Sequence, residues 1–169
     1  DDLNAYKAFI DSQFDPTVTW EDIDWLRSVW QGKILIKGVL EADDARAAID
    51  TGADGVIVSN HGGRQLDGVA SSITKLADVA AAVGDQAEVY LDGGVRSGID
   101  VVKALALGAR GVLIGRPWVF AMAACGEDGV VKLLELMRQE IATAMALMGV
   151  TSIDEITGEL VEPAEQERP

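Results

Sequence analysis

Cysteine and basic residues are scarce in this sequence, and each shortage excludes a class of protein. Cys125 is the single cysteine, so an internal disulfide is excluded, while one thiol is neutral on the redox compartment. Basic residues number 14 against 28 acidic ones, and the net charge of −14 argues against a nucleic-acid partner, which would require a basic face. Long uncharged apolar runs are also absent, so neither a signal peptide nor a membrane span is visible.

The chain is nevertheless long and apolar enough for one domain. Hydrophobic residues make up 49% of its 169 residues, which permits a sizeable core. We expect a single domain over 1–169, with its core at about 20–150 and a frayed polar tail at 159–169. The first residue is Asp1 rather than Met, which is typical of a processed or partial polypeptide.

Two patterns each occur twice along the chain, with nearly the same spacing. An aliphatic run that ends in a charged residue and glycine occupies 33–38 and returns at 88–93. A Gly-Ala-x-Gly segment followed by aliphatic residues occupies 52–58 and returns at 108–114. In the first copy a helical pattern at 41–51 lies between the two patterns, and in the second copy a helical pattern at 98–107 does so. The repeated unit is therefore strand–helix–strand–helix.

The glycines that open the second pattern predict where its helices end. Gly52 and Gly108 each follow a stretch with apolar residues at helical spacing, and glycine is the residue that most often closes a helix in the left-handed conformation. Further helical patterns lie at 3–14, after a capping box at Thr19–Asp22, at 72–83 and at 129–148.

Strands that alternate with helices indicate an α/β fold with a parallel sheet and right-handed crossovers. Four strands are predicted, near 33–37, 55–59, 88–92 and 111–115. A closed (β/α)8 barrel needs eight strands and typically about 250 residues, so the chain matches half of such a barrel. An open four-stranded sheet is the alternative, but the half-barrel agrees better with the site chemistry that follows.

The only histidine lies in the most informative segment, Ser59–Asp67. This segment follows Gly55–Val58, which has the pattern of a buried strand, so His61 lies just past the carboxyl end of a strand, where parallel α/β folds place their chemistry. Arg64 follows in the same segment, with glycines between. A base beside a cation that binds carboxylates is suited to taking a proton from an acid substrate. The alternatives are a structural histidine and a surface arginine.

Two glycine–arginine loops follow the third and fourth predicted strands. The first spans 92–98 and the second is Gly115–Pro117, whose proline suits the first turn of a helix. Barrels of this class commonly bind phosphate after their last two strands, where glycines admit backbone N–H groups and a helix N-terminus favours an anion. Arg96 and Arg116 can each clamp a phosphate, whereas Asp92 would repel it and is expected to accept a hydroxyl from a ribityl or ribose chain. Glycines that only form tight turns are the alternative.

Four motifs occur in the order and spacing of one family: Lys37-Gly38, Ser59–Asp67, Asp92–Arg96 and Gly115–Pro117. Over about 4–157 the chain resembles the FMN-dependent 2-hydroxy-acid dehydrogenases and oxidases, which include lactate dehydrogenase, mandelate dehydrogenase, glycolate oxidase and flavocytochrome b2. The segments most similar to bacterial L-lactate dehydrogenases are 4–9, 13–15 and 155–157. The resemblance implies the C-terminal half of a (β/α)8 barrel, FMN as cofactor and a small 2-hydroxy acid as substrate.

The resemblance also implies a role for each candidate residue. His61 is similar to the base that takes a proton from the substrate as the α-carbon is oxidised, and Arg64 to the arginine that binds the substrate carboxylate. Lys37 is similar to the catalytic lysine near flavin N1 and O2, where an ammonium offsets the negative charge that grows on reduction. The residues similar to flavin ligands are Lys37, Ser59, Asp92, Gly93, Gly94, Val95, Arg96, Gly115 and Arg116. No metal site is implied.

Several side chains have a plainer interpretation. Ser59 is equally compatible with ordinary loop capping, and Lys37 with an unspecialised strand end. Cys125, the four tryptophans and the methionines of the last helix are assigned to packing.

The family's barrel begins well before this chain, so the resemblance implies a missing N-terminal half-barrel, in the same or a separate chain. That half would carry the tyrosines near the substrate, a second carboxylate-binding arginine and the carboxylate that orients the histidine. We expect the complete barrel to be a homo-oligomer and to be cytoplasmic, with peripheral attachment to the inner membrane left open. Alone, this half would expose apolar strand edges.

Three functions compete at this point. The leading one is a dehydrogenase that oxidises L-lactate and passes electrons from FMN to an acceptor other than oxygen. The second is an oxidase that uses oxygen, or a mandelate-type enzyme; family oxidases often have alanine where this chain has Gly63, which favours the dehydrogenase. The third is a non-catalytic half-barrel that binds phosphate, which would not need His61 and Arg64 together.

Overall fold

Four parallel strands form one sheet, and their order in the sheet is their order along the chain. The computed structural model describes residues 2–162, apart from the side chain of Asp85. The strands are β1 (Leu35–Val39), β2 (Gly55–Val58), β3 (Glu88–Asp92) and β4 (Gly111–Leu113). Doubly wound open sheets reverse their strand order at a switch point, whereas consecutive order throughout belongs to the wall of a (β/α)8 barrel. The predicted half-barrel is confirmed in this order.

Helices connect and flank the strands. Within residues 2–162 they are α1 (Leu3–Asp11), α2 (Trp20–Val29), α3 (Ala42–Asp50), α4 (Ser72–Val83), α5 (Gly98–Ala106) and α6 (Arg116–Met148). Short 3₁₀ turns lie at His61–Gly63, Gly84–Gln86, Ile153–Glu155 and Gly158–Leu160. In the part of the chain that the structure describes, none of the helices combines the length and apolar character that crossing a bilayer requires.

The two helices of the internal repeat end in the same way, as their glycines predict. After α3, Gly52 adopts φ +89° and the N–H of Ala53 donates to the carbonyl of Ala48 at 3.0 Å. After α5, Gly108 adopts φ +100° and the helix closes by the matching bond, also at 3.0 Å. This bond from beyond the helix into its last turn is the Schellman motif. A residue with a Cβ would be strained at either glycine.

The main core lies between the sheet and helices α3 and α4. Strand side chains at alternate positions point into it, and the most buried are Val56, Val58, Val89 and Leu91. Fully buried residues of α4 meet them: Leu76, Val79 and Val83. By strand alternation the opposite side chains face the barrel interior, and at the two sheet edges these are Leu35, 43% exposed, and Leu113, 39% exposed.

Strand β1 extends further than the sequence predicts. The Lys37-Gly38 pair predicts a strand end at 37, but the strand continues to Val39. Gly38 adopts φ +101° and the register with β2 shifts there, so a bulge carries the chain past the glycine without ending the pairing.

The last helix begins earlier than predicted. Its periodicity predicts a helix over 129–148, whereas helical structure starts at Arg116. The helix is broken at Cys125 and Gly126, which have φ −143° and +59°. These two non-helical residues interrupt the 3.6-residue period, so the segment before the break does not continue the pattern of 129–148.

The packing assignments hold only in part. Met137 is buried, and Met145 and Met148 pack partly into the core, as predicted. Cys125 is exposed, and so are all four tryptophans: Trp20, Trp25, Trp30 and Trp118. The assignment of these residues to packing is therefore wrong for the described chain.

A second, smaller cluster lies at the carboxyl-terminal end. Val102 and Ala106 of α5 pack there against Ile156. The 3₁₀ turn Gly158–Leu160 follows, and Val161 packs on the same cluster. The predicted frayed tail thus begins with packed residues, and its remainder, 163–169, lies outside the described residues.

A cluster of charged residues around Asp54 lies at the end of the sheet where the strands begin. Its carboxylate accepts hydrogen bonds from Lys33 Nζ at 2.6 Å, from the Ile34 N–H at 2.9 Å and from Arg27 at 3.2 Å. Arg27 also donates to the carbonyl of Gly32 at 2.7 Å, so α2 is tied to the start of the sheet. The hydrogen bond from Lys33, followed by that from the Ile34 backbone, holds the pKa of Asp54 below its ordinary value.

We predict that Asp54→Asn destabilises the protein in a pH-dependent way. A carboxyl whose pKa is lowered by folding stabilises the native state above its unfolded-state pKa, and this contribution is lost as pH falls through the native pKa. The Tm of the variant should lie below that of the wild type at neutral pH, and the gap should close towards about pH 3.

Asp43→Asn is the matched control, because Asp43 pairs with Arg46 on the exposed face of α3. Its Tm should stay close to the wild-type value at both pH values. An Asp54→Asn gap that is the same at neutral and low pH would show that the charge of Asp54 does not stabilise the fold.

Candidate active site

The carboxyl ends of the four strands open onto one cleft of about 490 Å³. The predicted site residues that line it are Lys37, His61, Arg64, Asp92, Gly93, Gly94, Val95, Arg96, Gly115 and Arg116. Ser59, the remaining predicted site residue, is 2% exposed and lies beneath the residues that line the cleft. The fold therefore brings together residues from two strands, from the loops after β2, β3 and β4, and from the start of α6, at the edge where barrels place their chemistry.

The Ser59 hydroxyl joins three strand ends. It accepts hydrogen bonds from Lys37 Nζ at 2.8 Å and from the backbone N–H of His61 at 3.1 Å, and it donates to the carboxylate of Asp92. A hydroxyl has one proton and two lone pairs, so all of its hydrogen-bonding capacity is used. A flavin contact from Ser59 stays a prediction, and it would require one of these partners to move.

Lys37 and Asp92 form an ion pair at the floor of the cleft. The Lys37 side chain is 39% exposed and that of Asp92 is 17% exposed, so the ammonium is the more accessible partner. Within the described residues, two of the three N–H donors of Lys37 meet Ser59 and Asp92, which leaves one for a ligand. Lys37 thus presents a positively charged N–H donor to the cleft, and the carboxylate of Asp92 beneath it balances the charge.

His61 opens a left-handed turn. His61, Gly62 and Gly63 have φ values of +55°, +67° and +72°, and His61 is the one non-glycine residue with positive φ within residues 2–162. This conformation costs an L-residue roughly 1–2 kcal/mol, and such strain clusters at functional sites. Asn60 supports the turn, because its Oδ1 accepts the Gly62 N–H at 2.9 Å and its Nδ2 donates to the carbonyl of Ala70 at 3.3 Å.

The turn presents His61 and Arg64 to the cleft together. The backbone N–H of Arg64 donates to the carbonyl of His61 at 3.4 Å, so one tight turn separates the two side chains. Both side chains are exposed and both line the cleft. An imidazole and a guanidinium are therefore accessible to the same small ligand.

The loop after β3 approaches its neighbours closely. Gly93 and Gly94 adopt φ +88° and +81°, and a Cβ on Gly93 would lie 2.9 Å from Asn60 Oδ1 and 3.0 Å from Ser72 Oγ. Only glycine fits there without displacing the Asn60 side chain that supports the His61 turn. The loops after β2 and β3 are thus packed as one unit.

Asp100 holds the end of the same loop. Its carboxylate accepts the backbone N–H groups of Arg96 at 2.9 Å and Ser97 at 3.0 Å, and the Ser97 side chain in turn accepts the N–H of Asp100. Partial burial alone would raise the pKa of Asp100, but the hydrogen bonds from Arg96 and Ser97 outweigh it and leave the pKa below its ordinary value. This reciprocal pair is a capping box that fixes where α5 begins.

Arg116 stands at the N-terminus of α6. It donates from its guanidinium to the carbonyl of Gly62, which links the loop after β4 to the His61 turn. Gly115 precedes the helix and Pro117 lies in its first turn, where N–H groups have no acceptor within the helix. With Arg96 across the cleft, these donors fit a bound phosphate, since two guanidinium groups and a helix N-terminus all favour an anion.

The sequence reasoning missed three features of this site. Asn60 and Asp100 shape its loops, and the Asn-His and Ser-x-x-Asp patterns were the signals that could have identified them. Trp118 and Phe120, 43% and 70% exposed, form an aromatic wall of the cleft that was missed because the helix predicted over 129–148 does not include them. Residues 2–162 contain no group of three or more His, Cys, Asp or Glu side chains that could hold a metal ion.

Comparison with known proteins places this geometry among flavin enzymes. A family model described as FMN-dependent dehydrogenase matches residues 1–163. L-Lactate dehydrogenase from Caulobacter sp. (strain K31) is 55% identical over 154 residues, which cover 91% of this chain and 40% of that protein. L-Lactate dehydrogenase from Alcaligenes faecalis is 50% identical over 159 residues, which cover 94% of this chain and 42% of that protein. The chain therefore spans about two fifths of the length of these relatives.

The chain also superposes on solved structures. The crystal structure of mandelate oxidase superposes with a TM-score of 0.78 at 50% identity, over 81% of this chain and 40% of that one. Mandelate oxidase with benzoyl-formic acid also gives a TM-score of 0.78 at 50% identity, over 81% of this chain and 41% of that one.

Proposed function

The chain belongs to the FMN-dependent dehydrogenase family, and we propose that it forms the catalytic half of an enzyme that oxidises L-lactate, a 2-hydroxy acid, to the 2-oxo acid. This membership confirms the resemblance that the four motifs indicate. The observation that carries the proposal is that His61 and Arg64 share one cleft with both glycine–arginine loops. A module that only binds phosphate would need the loops but not an imidazole and a guanidinium beside them.

The cofactor is proposed to lie along the cleft from the phosphate loops to Lys37. Arg96 and Arg116 would hold the phosphate of FMN, together with the N–H groups around Gly94 and the start of α6. Bound FMN would supply the two-electron acceptor. Lys37, held in place by Ser59 and Asp92, lines the cleft with one N–H donor left over, and its positive charge would stabilise negative charge at the flavin.

Substrate binding and proton transfer are assigned to the turn after β2. Arg64 would bind the substrate carboxylate through two parallel N–H···O bonds, which orients the α-carbon. His61 would take one proton as the C–OH group becomes C=O, while the second proton and the two electrons pass from the substrate to the acceptor. The left-handed backbone at His61 places the imidazole at the mouth of the cleft, and the carboxylate that orients it would come from the missing half-barrel.

L-Lactate is proposed as the substrate because the relatives named above are L-lactate dehydrogenases. An acid with an aromatic side chain is the second candidate, favoured by the mandelate oxidase structures at 50% identity. We propose an electron acceptor other than oxygen, since family oxidases often carry alanine at the position of Gly63. Here Gly63 has φ +72°, which disfavours any residue with a Cβ.

The remaining substrate contacts are proposed to come from a second half-barrel. The inward-facing side chains of the two edge strands, Leu35 and Leu113, are exposed, and a barrel needs eight strands to close. We further propose that the complete barrel is a cytoplasmic homo-oligomer.

We predict that Arg116→Ala releases the flavin from the complete barrel. A charge-assisted contact to phosphate is worth roughly 1.5–3 kcal/mol, so flavin retention should weaken at least about tenfold. Flavin per barrel is measured after dialysis, and the chromophore released by heat should have the mass of FMN. Arg46→Ala, at an exposed arginine of α3, is the matched control and should retain the cofactor. Full flavin content in Arg116→Ala alongside a raised KM would instead assign Arg116 to the substrate.

We predict that His61→Gln and Arg64→Lys impair the reaction in different ways. Without its base, His61→Gln should reduce bound flavin with L-lactate about 10²–10⁴-fold more slowly, with the flavin still bound. Arg64→Lys keeps a positive charge but loses the planar fork, so it should raise KM and also lower kcat. Stopped-flow measurement of flavin reduction separates the two effects.

Gln65→Ala, one residue beyond Arg64 in the same exposed loop, is the control and should react like the wild type. If His61→Gln reduces its flavin at nearly the wild-type rate, His61 is structural and the proposed proton transfer is wrong.

A further inference from the structure

One side chain joins the phosphate loop after β4 to the turn that carries His61 and Arg64. The guanidinium of Arg116 donates to the carbonyl of Gly62, the residue that follows His61. We propose that Arg116 is a positioning residue, which couples phosphate binding in the cleft to the order of this turn. Arg116 thus acts on the reaction through the turn as well as through the cofactor, a role that rests on the proposed function of both sites.

The other hydrogen bonds of the His61 turn, residues 61–64, are local. Its four backbone N–H groups all donate to acceptors within residues 59–61, at 2.9 to 3.4 Å. Arg116 lies 54 positions from Gly62 along the chain. Within residues 2–162 its guanidinium is the only group from another loop that makes a hydrogen bond to the turn. The turn therefore depends on Arg116 for its attachment to the phosphate side of the cleft.

The close approach of the guanidinium requires glycine at position 62. Gly62 has φ +67°, and a Cβ on it would lie 3.1 Å from Nη2 and 3.7 Å from Cζ of Arg116. A side chain at this position would press on the guanidinium and would also strain the left-handed backbone. Packing and hydrogen bonding thus point to the same contact between the two loops.

The guanidinium can serve the turn and an anion at the same time. Arginine carries five N–H donors in a rigid plane. The carbonyl of Gly62 accepts from Nη2, which leaves the donors of Nε and Nη1 for phosphate oxygens. Arg116 also lines the cleft together with Arg96 and Gly115, so these donors belong to the surface that would receive the phosphate.

A bound phosphate should therefore order the turn. Arg116 is an exposed side chain that loses rotational freedom when its guanidinium is held. An anion that holds the guanidinium removes part of this entropic cost for the hydrogen bond to Gly62. Coupling between two sites is reciprocal, so an ordered turn also favours the phosphate. His61 and Arg64 are thus presented together when the phosphate site is filled.

Arg96 provides the contrast that separates this role from phosphate binding alone. Both arginines are exposed and both line the cleft. Within residues 2–162 the guanidinium of Arg96 makes no hydrogen bond to the His61 turn, and the Arg96 backbone N–H donates to Asp100. Loss of either guanidinium should weaken phosphate binding, but only the loss of Arg116 should loosen the turn.

Trypsin cleavage after Arg64 measures the order of the turn, because a protease cuts a segment that opens locally. In the flavin-free complete barrel, Arg116→Ala should be cleaved after Arg64 about tenfold faster than the wild type, as expected for the loss of one hydrogen bond to a charged group. Arg96→Ala is the matched control and should be cleaved there at the wild-type rate. Unchanged cleavage in Arg116→Ala, or equal acceleration in both variants, would overturn the coupling.

Inorganic phosphate is the probe for the coupling itself, because it can fill the phosphate site without covering Arg64. Added to the flavin-free wild type, with chloride adjusted to keep the ionic strength constant, it should slow cleavage after Arg64. It should have no effect on that cleavage in Arg116→Ala, and an unfolded peptide substrate corrects for any effect on trypsin. Protection of both proteins, or of neither, would contradict the proposed link.

Excess FMN separates the role in the turn from the loss of cofactor, because it restores the flavin that dialysis removes. When fully loaded, Arg116→Ala should reduce its flavin with L-lactate roughly tenfold more slowly and with a raised KM, since the turn carries both His61 and Arg64. A partly unfolded population would lower the amplitude of reduction but not its rate constant.

Wild-type rate and KM in fully loaded Arg116→Ala would overturn the positioning role and leave the proposed function intact. A complete barrel that takes up no FMN would instead contradict the proposed function. Cleavage after Arg64 and its response to inorganic phosphate would still decide the coupling in that case, because neither measurement needs the flavin.

Discussion

The Ser59 hydroxyl is the interaction on which the rest of the site depends. It is buried, and it connects the ends of three neighbouring strands by accepting from Lys37 and from the His61 backbone and by donating to Asp92. The ammonium, the carboxylate and the turn that carries the imidazole therefore take their positions from one group. A buried hydroxyl with every donor and acceptor used rigidifies its surroundings, because loss of any partner leaves a costly unsatisfied group.

Stabilising charge interactions and the ligand cleft lie at opposite ends of the half-barrel. At the amino ends of the strands, Asp54 accepts hydrogen bonds from Arg27, Lys33 and the backbone N–H of Ile34, and its charge ties α2 to the sheet. At the carboxyl ends the loops are glycine-rich, exposed and lined with donors. Stabilising ion pairs at one end and a ligand cleft at the other are the usual arrangement of (β/α)8 barrels.

Local signals in the sequence predict the elements well, and features that depend on distant partners escape them. The repeated glycines predict the ends of α3 and α5, because glycine in the left-handed conformation is a local requirement. The end of β1 is predicted too early, because the bulge that carries the strand past Gly38 forms only through pairing with β2. The positive φ of His61 depends on bonds to Ser59 and Asn60, and the exposure of Trp118 depends on surface that residues 2–162 do not cover.

Two buried serines allow the most direct test of the role given to Ser59. Ser59 and Ser72 are both 2% exposed, but the Ser72 hydroxyl has no hydrogen-bond partner within the described residues. Urea unfolding should show that Ser59→Ala lowers the free energy of unfolding by about 1–3 kcal/mol, because it leaves buried polar partners unsatisfied. Ser72→Ala should have little effect or stabilise the chain. Equal effects of the two substitutions would contradict the central place of the Ser59 hydroxyl.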